Sequence, residues 1–254
     1  GTENNAFGYL ALLANTTGSY NTAIGNNALA ANTDTDSKTA VGYAALAANT
    51  TGIYNTAVGV NSLASNTTAS SNTSIGHKAL YANTTGGYNV AVGADTLDAS
   101  TTGSSLTGLG YGALSANTTA SNNTAVGNSS LLSTTSGGQN TAVGKDALKL
   151  NTASENTAVG TYSLDANTTG GNNCAVGYGS LGANTTGGQN TTVGHSSLDA
   201  NTTGVDNVAV GYSSLGAQTT ASYNTAVGKN AGDAVTTGNH NVMIGYLAGT
   251  SAID

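Results

Sequence analysis

Apolar residues recur along this chain in fixed columns. If position 1 is the Asn of the sequence NTAVG, as in residues 55–59, position 4 is apolar in all fifteen successive units and position 9 is Leu in thirteen of them. The Gly at position 5 returns every 17 residues, apart from one interval of 16 residues between Gly144 and Gly160. A fixed period near 20 residues is typical of a solenoid, whose units pack only against their neighbours. The pattern predicts a single repeat-array domain over residues 1–254.

Each unit is predicted to form one coil of an all-β fold, a parallel β-solenoid of about fifteen 17-residue coils. Positions 1–4 favour a strand because Thr and Val at positions 2 and 4 are β-branched and share one strand face. Positions 8–11 are predicted as a second extended segment or a single helical turn. Gly at position 5 and Asn-Thr-Thr-Gly at positions 12–15 predict corners. The missing residue falls at 151–155, in the second corner, where a deletion leaves strand register intact.

Positions 2 and 4 are expected to face inward, so that stacked coils form continuous apolar ladders at roughly 4.8 Å spacing. Position 3 would then face outward. It carries Ala in eleven of fifteen units and never a charged residue, although a solvent-facing column has no reason to exclude charge. An exposed apolar stripe predicts contact with another chain. The predicted assembly interface comprises Ala57, Ala91, Ala125, Ala142, Ala158, Ala175, Ala209 and Ala226.

Composition narrows the possible functions. Only 7% of residues are charged, the five basic residues are all Lys, and the formal net charge is −7. Nucleic acids and anionic lipids bind clustered Lys and Arg, so neither is an expected partner. No apolar run reaches the length of a membrane span, so no membrane insertion is expected in this segment. The chain begins at Gly1 without Met or a visible signal peptide, which suggests a piece of a longer or processed protein.

Candidate catalytic or metal-binding residues are few and scattered. His77 and His195 share position 6 but lie seven units apart, and no carboxylate or cysteine groups with them. Cys174 replaces a Thr at position 2 and is interpreted as a small core residue. The closest carboxylate pairs, Asp34 with Asp36 and Asp95 with Asp98, lack the sequence patterns of calcium loops. We therefore expect no catalytic site, no metal and no cofactor.

Two recurring residue types leave alternatives open. Asn-x-Thr or Asn-x-Ser sequences recur in the second corner and could carry glycans, or the Asn could cap a turn and stack on its neighbours. Tyr residues cluster at positions 6 and 17, where exposed rings could contact sugars or proteins, or could cover the corner backbone. His240 also lies at position 17.

The repeated motif resembles known surface fibres. The variants NTAIG (21–25), NTSIG (72–76) and NVAVG (207–211) resemble the head repeats of trimeric autotransporter adhesins. The longer unit NTAVGxxALxANTTGxx is similar to repeats in bacteriophage tail-fibre shafts, and NVMIGYLAG (241–249) is similar to the segment that closes such arrays. The resemblance implies a left-handed parallel β-roll that assembles as a homotrimer and acts in attachment. It carries over no binding residue.

The expected function is that of a structural or adhesive segment of an extracellular fibre, on a bacterial cell surface or in a virion tail fibre. Its partner would be an unknown host-surface protein or glycan, besides its own copies in the trimer. One alternative is an ice-binding β-solenoid, against which the predicted inward direction of the position-2 Thr argues. A homopolymeric extracellular filament subunit is another. An enzyme is not expected, because no local break in the repeat carries acidic or His clusters.

Overall fold

The computed structural model describes residues 1–250 and is a parallel β-solenoid. Fifteen parallel strands lie in one sheet in the order of the sequence, and the coils make about fourteen turns. No helix occurs within residues 1–250. The predicted all-β parallel solenoid is confirmed. Residues 251–254, which the predicted array included, lie outside the described residues.

The strands are three residues long and occupy positions 2–4 of each unit. They are β1 (Asn5–Phe7), β2 (Thr22–Ile24), β3 (Thr39–Val41), β4 (Thr56–Val58), β5 (Thr73–Ile75), β6 (Val90–Val92), β7 (Thr107–Leu109), β8 (Thr124–Val126), β9 (Thr141–Val143), β10 (Thr157–Val159), β11 (Cys174–Val176), β12 (Thr191–Val193), β13 (Val208–Val210), β14 (Thr225–Val227) and β15 (Val242–Ile244).

The chain consists of two compact units, Gly1–Ala125 and Val126–Asp254. Within each unit the strands pair in parallel and in register. Position 2 lies opposite position 2, as in Thr39 with Thr56 in the first unit and Thr157 with Cys174 in the second. The prediction of a single repeat-array domain stays a prediction.

The short coil loses its residue from the second corner, as predicted. Thr141 still pairs with Thr157 in register, although the two are 16 residues apart. The side-chain amide of Asn151 donates to the carbonyl of Ala153, two residues on, at 2.8 Å. In a coil of ordinary length, Asn167 donates to the carbonyl three residues on. The corner is therefore one residue tighter, and the strands are unaffected.

The two strand faces are opposite to the prediction. Position 3 faces inward, and its Ala side chains are fully buried from Ala23 onward, while positions 2 and 4 are partly exposed. The proposed assembly interface is therefore wrong, because residues enclosed by their own chain have no surface for another chain to contact. The correction applies to Ala57, Ala91, Ala125, Ala142, Ala158, Ala175, Ala209 and Ala226, each of which is 0% exposed.

The faces are set by the narrow interior of the coil. Position 3 faces positions 8 and 9, as the 2.7 Å hydrogen bond from Ser62 Oγ at position 8 to Ser74 Oγ at position 3 shows. At Gly108, another position 3, an added Cβ would lie 2.6 Å from the methyl group of Thr96. Interiors are close-packed, and overfilling them is destabilising. Small residues therefore point inward, and the bulkier Val and Ile point outward.

The segment after Gly at position 5 is neither the extended segment nor the helical turn that the sequence predicts. Positions 6–11 form turns, and φ is positive at positions 7 and 9, as at Asn61 (57°) and Leu63 (51°). The Asn61 amide bonds to the previous coil at Tyr43 and the Leu63 amide to the next coil at Ala79, both at 2.9 Å. A left-handed Leu costs roughly 1–2 kcal/mol. Burial of its side chain and the bonds between coils offset that cost.

Asn side chains form a buried hydrogen-bonded column at position 12. The amide nitrogen of Asn66 donates to Asn49 Oδ1 of the previous coil at 2.7 Å and to the Ala69 carbonyl of its own coil at 3.0 Å. Asn83 in turn donates to Asn66 Oδ1 at 2.9 Å. The column satisfies buried amides that would otherwise cost stability, since unpaired polar groups are penalised in the interior.

A second Asn column runs along position 1. The Asn55 amide nitrogen donates to the Ala69 carbonyl at 2.7 Å, and its Oδ1 accepts the backbone N–H of Asn72 at 3.0 Å. The same pair of bonds recurs at Asn173, which donates to Gly187 and accepts from Asn190. Each position-1 Asn thus closes the corner of its own coil and binds the backbone of the next.

The Gly at position 5 is required where neighbouring coils meet most closely. Gly144 has φ +136°, and an added Cβ would lie 2.6 Å from the carbonyl carbon and oxygen of Gly160 in the next coil. Any other residue would meet both an unfavourable backbone conformation and this contact.

The position-12 column has a gap that yields a prediction. Asn83 Oδ1 is buried without a hydrogen-bond partner, and the next coil carries Ser100 where most coils carry Asn. We expect Ser100→Asn to raise the melting temperature, with a gain of about 1 kcal/mol, because the new amide can donate to Asn83. Ser100→Ala is the matched control and should not stabilise. A lower melting temperature for Ser100→Asn would contradict the ladder interpretation.

Candidate functional site

The first candidate site is the outer strand face, which we define as the side chains at positions 2 and 4. No charged residue occurs at either position in any unit. The most exposed apolar residues on internal strands of this face are Ile24 (42%), Ile75 (40%) and Leu109 (43%) in the first unit and Val159 (36%), Val193 (41%) and Val227 (37%) in the second. Contiguous exposed apolar surface marks interaction sites in soluble proteins.

The outer strand face is a regular Thr-x-Val array. Thr56 and Val58 both point outward and are half-buried by their neighbours in adjacent coils. The prediction that the position-2 Thr faces inward is therefore wrong. The interpretation of Cys174 as a core residue is wrong for the same reason, because it lies on this face, half-buried, between Thr157 and Thr191 in register.

The second candidate site is an aromatic row on the second unit. Six consecutive coils each contribute one side chain from position 6 or 7. We call the following set the aromatic row: Lys145, Tyr162, Tyr178, His195, Tyr212 and Lys229.

The coil stacking brings these side chains together. The backbone amide of Ser196 donates to the Tyr178 carbonyl at 2.9 Å, and that of Ser213 donates to the His195 carbonyl at 3.0 Å. These bonds hold successive corners at the spacing of stacked rings. His195 lies between Tyr178 and Tyr212, with ring centroids 5.1 and 5.3 Å apart and interplanar angles of 21° and 19°.

Each end of the row carries a lysine. Lys145 Nζ lies 5.6 Å from the centroid of the Tyr162 ring and 3.4 Å from its hydroxyl, and Tyr162 packs edge-on against Tyr178 at 5.8 Å. At the other end, Lys229 Nζ lies 5.6 Å from the Tyr212 centroid. These distances fit cation–π contacts, which are worth about 0.5–1 kcal/mol at exposed sites.

The other histidines pair locally. His77 Nδ1 lies 3.5 Å from Asp95 Oδ1, and His240 stacks on Tyr223 with centroids 4.9 Å apart. Within residues 1–250, no group of three or more His, Cys, Asp or Glu side chains is arranged to hold a metal ion.

The predicted carboxylate pairs have different surroundings. Asp34 and Asp36 are exposed, and they accept local hydrogen bonds from the Thr33 hydroxyl and the Ser19 amide, respectively. At the other pair, desolvation raises the pKa of Asp98 above its usual value, and the charge of Asp95 raises it further. Burial likewise raises the pKa of Asp165.

Most Asn residues of the Asn-x-Thr sequences are committed to the interior. Those at position 12 are fully buried in residues such as Asn49, Asn66, Asn167, Asn184 and Asn201. Their amide nitrogens are the donors of the ladder, so a glycan attached there would remove these bonds. Asn122 and Asn128, which lie outside the position-12 column, are exposed.

Comparison of the chain with protein-family models, with curated proteins and with solved structures finds no match. The described part of the chain, residues 1–250, has no helix of the length and apolarity that crossing a bilayer requires.

One buried cation interrupts the position-1 column. Lys38 stands where most coils carry Asn, and it is 1% exposed. Its Nζ donates to Thr35 Oγ1 at 2.6 Å and to the Asp36 carbonyl at 3.3 Å. Desolvation lowers its pKa from 10.5 to about 8, although the nearby charges of Asp36 and Asp34 oppose this shift.

The lowered pKa of Lys38 predicts a pH-dependent stability. The unfolded chain holds this proton up to pH 10.5 and the folded chain only up to about 8. The charge therefore costs stability below pH 8, by at most about 3 kcal/mol, and the cost disappears as the pH rises toward 10.5. We expect Lys38→Asn to melt at a higher temperature than the parent at pH 7, with a gap that narrows between pH 8 and 10.5.

Lys229→Asn, at an exposed position, is the control for general effects of alkaline pH in these melting curves. A difference between Lys38→Asn and the parent that stays constant from pH 7 to 10.5 would contradict the assigned cause.

Proposed function

We propose that this chain is a structural segment of an extracellular attachment fibre and that copies of it pack through the outer strand face as a homotrimer. The observation that carries the proposal is the exposed, uncharged Thr-x-Val array of that face. The trimer follows the resemblance to adhesin head repeats, and closed cyclic symmetry suits a face that every copy presents identically.

The composition of the outer strand face supports packing against protein. Solvent-facing strand positions ordinarily carry Lys, Glu and Gln, and an uncharged β face invites association with another chain. Here positions 2 and 4 remain Thr, Val or Ile in nearly every unit, while other exposed positions such as 6 and 17 vary freely. Association with identical copies would keep a face constant from coil to coil.

The fibre would lie outside the cell, on a bacterial surface or in a virion tail, and would attach to a protein or glycan of the host surface. The proposal assigns this segment no catalytic role, no cofactor, no nucleic acid and no membrane insertion.

Assembly through the outer strand face is tested by adding charge to it. We expect the parent to be trimeric by light scattering at micromolar concentration. The triple variant Ile24→Glu, Ile75→Glu, Leu109→Glu should be monomeric, because burying unpaired carboxylates between copies is costly. The matched control, Thr17→Glu, Thr51→Glu, Val60→Glu, places the same charge at exposed positions off this face and should stay trimeric. A monomeric parent, or a face variant that remains trimeric, would contradict the proposal.

Ice binding is a second candidate, favoured by the outward direction of the Thr column. The sequence argued against it only while these Thr were expected to point inward. Thr39, Thr56 and Thr73 instead lie in register on the outside of adjacent coils. Flat arrays of Thr on β-solenoids can match an ice lattice, but a face covered by other copies cannot touch ice.

Thermal hysteresis separates the two candidates. If the chain binds ice, the protein should be monomeric and should depress the freezing point below the melting point. Thr39→Lys, Thr56→Lys, Thr73→Lys should then abolish the effect by breaking the flat face, whereas Thr17→Lys, Thr51→Lys should retain it. The fibre proposal predicts no hysteresis from the assembled protein, and a monomer without hysteresis would exclude both uses of the face.

A further inference from the structure

The aromatic row is not needed to build the coil. Position 6 carries Asn26, Val60 and Ala94 in three coils of the first unit, which form the same turns. In the second unit, Tyr178 and Tyr212 at this position are 52% and 51% exposed, so half of each side chain remains in water. Large aromatic side chains that stay half-exposed without structural need are candidates for binding.

Stacking leaves one part of each side chain free for a ligand. Because His195 lies face to face with Tyr178 and Tyr212, the ring faces are occupied and the outer edges carry the polar atoms. The row offers hydroxyl, imidazole and ammonium groups, one per coil, with successive ring centroids 5.1 to 5.8 Å apart. This interval is comparable to the length of one sugar ring in an extended polysaccharide chain.

The charge along the row favours an anion. The whole chain is acidic, with a net charge of −7 and five lysines. Two of those lysines end the row, and a third, Lys149, shares the carboxylate of Asp146 with Lys145, at 3.3 and 3.8 Å, respectively. Two ammonium groups against one carboxylate leave this end positive. Such local charge attracts anionic ligands even on an acidic protein.

The nearest carboxylates do not belong to the row. Asp165 and Asp199 lie at position 10, and each accepts hydrogen bonds from backbone amides of its own turn, those of Asp199 and Ala200 in the second case. From coil to coil, positions 6 between residues 145 and 246 carry Lys, Thr, Tyr or His and no acid.

We infer that the aromatic row binds an extended acidic polysaccharide lengthwise, with about one sugar per coil. The Tyr hydroxyls and the His195 imidazole hydrogen-bond the sugar hydroxyls, and the terminal lysines pair with the carboxylates of uronic acid units. The inference rests on the proposed attachment role and names a glycan as the partner of that role.

The test uses the full chain and a short linear oligogalacturonate as the probe, with binding measured by calorimetry. The parent should bind, and added salt should weaken binding because the ammonium–carboxylate pairs are screened. Tyr178→Ala, Tyr212→Ala should weaken binding about tenfold or more. Lys145→Gln, Lys229→Gln, at exposed positions, should weaken it and reduce its salt dependence, which keeps the test informative if the Tyr variant folds poorly.

Tyr43→Ala is the matched control. It removes a position-6 tyrosine that is 53% exposed and that lies between coils carrying Asn26 and Val60. This variant should bind like the parent. A neutral cello-oligosaccharide of equal length should bind more weakly than the acidic probe.

Absence of oligogalacturonate binding, or equal binding by the parent and both row variants, would overturn the inference. Light scattering on the same samples separates this outcome from the attachment proposal. A trimer that does not bind contradicts the row alone, and a monomer that binds contradicts assembly alone.

Discussion

The hydrogen bonding of each coil to its neighbours is the interaction on which the rest of this structure depends. A single coil encloses one Leu and a few small side chains, which is too little apolar burial to offset the entropy of ordering 17 residues. The Asn columns add what the apolar core lacks. Each amide closes a corner within its own coil and bonds to the adjacent one, so that a coil completes its hydrogen bonding only within the stack. The orphaned Asn83 oxygen beside Ser100 shows that the two columns are coupled coil by coil.

The same stacking determines which surfaces the protein offers. Because the walls of the coil approach closely, only small residues fit at position 3, and the β-branched residues are displaced to the outside. The outcome is an interior that is partly polar and an exterior face that is partly apolar, the reverse of an ordinary half-buried sheet. Parallel in-register strands then repeat that exterior face with every coil. A surface of this kind suits a partner that is itself periodic, whether another copy of the chain or a lattice.

The sequence predicts the repeat, the strands and the corners well, because the Gly and Val columns have a single period. The tight corner at Asn151 is predictable for the same reason. Alternation along a strand shows which residues share a face but not which face is inside, and the expectation that Val points inward failed at all internal strands. The Ala column at position 3, together with Ala and Ser at position 8, was the available signal for a narrow interior. The left-handed Leu at position 9 could not be predicted, since Leu rarely adopts this conformation without tertiary support.

Function in such a fold is expected where the repeat permits variation. Positions 1, 3, 9 and 12 are constrained by the coil interior, so their constancy reflects folding rather than binding. The corner positions are free of that constraint, and in the second unit they carry stacked rings and lysines that no neighbouring coil requires. A side chain placed at such a corner is automatically aligned with those of the coils on either side. A solenoid can therefore build a linear binding row by single substitutions, each of which adds one contact at the spacing that the backbone hydrogen bonds already impose.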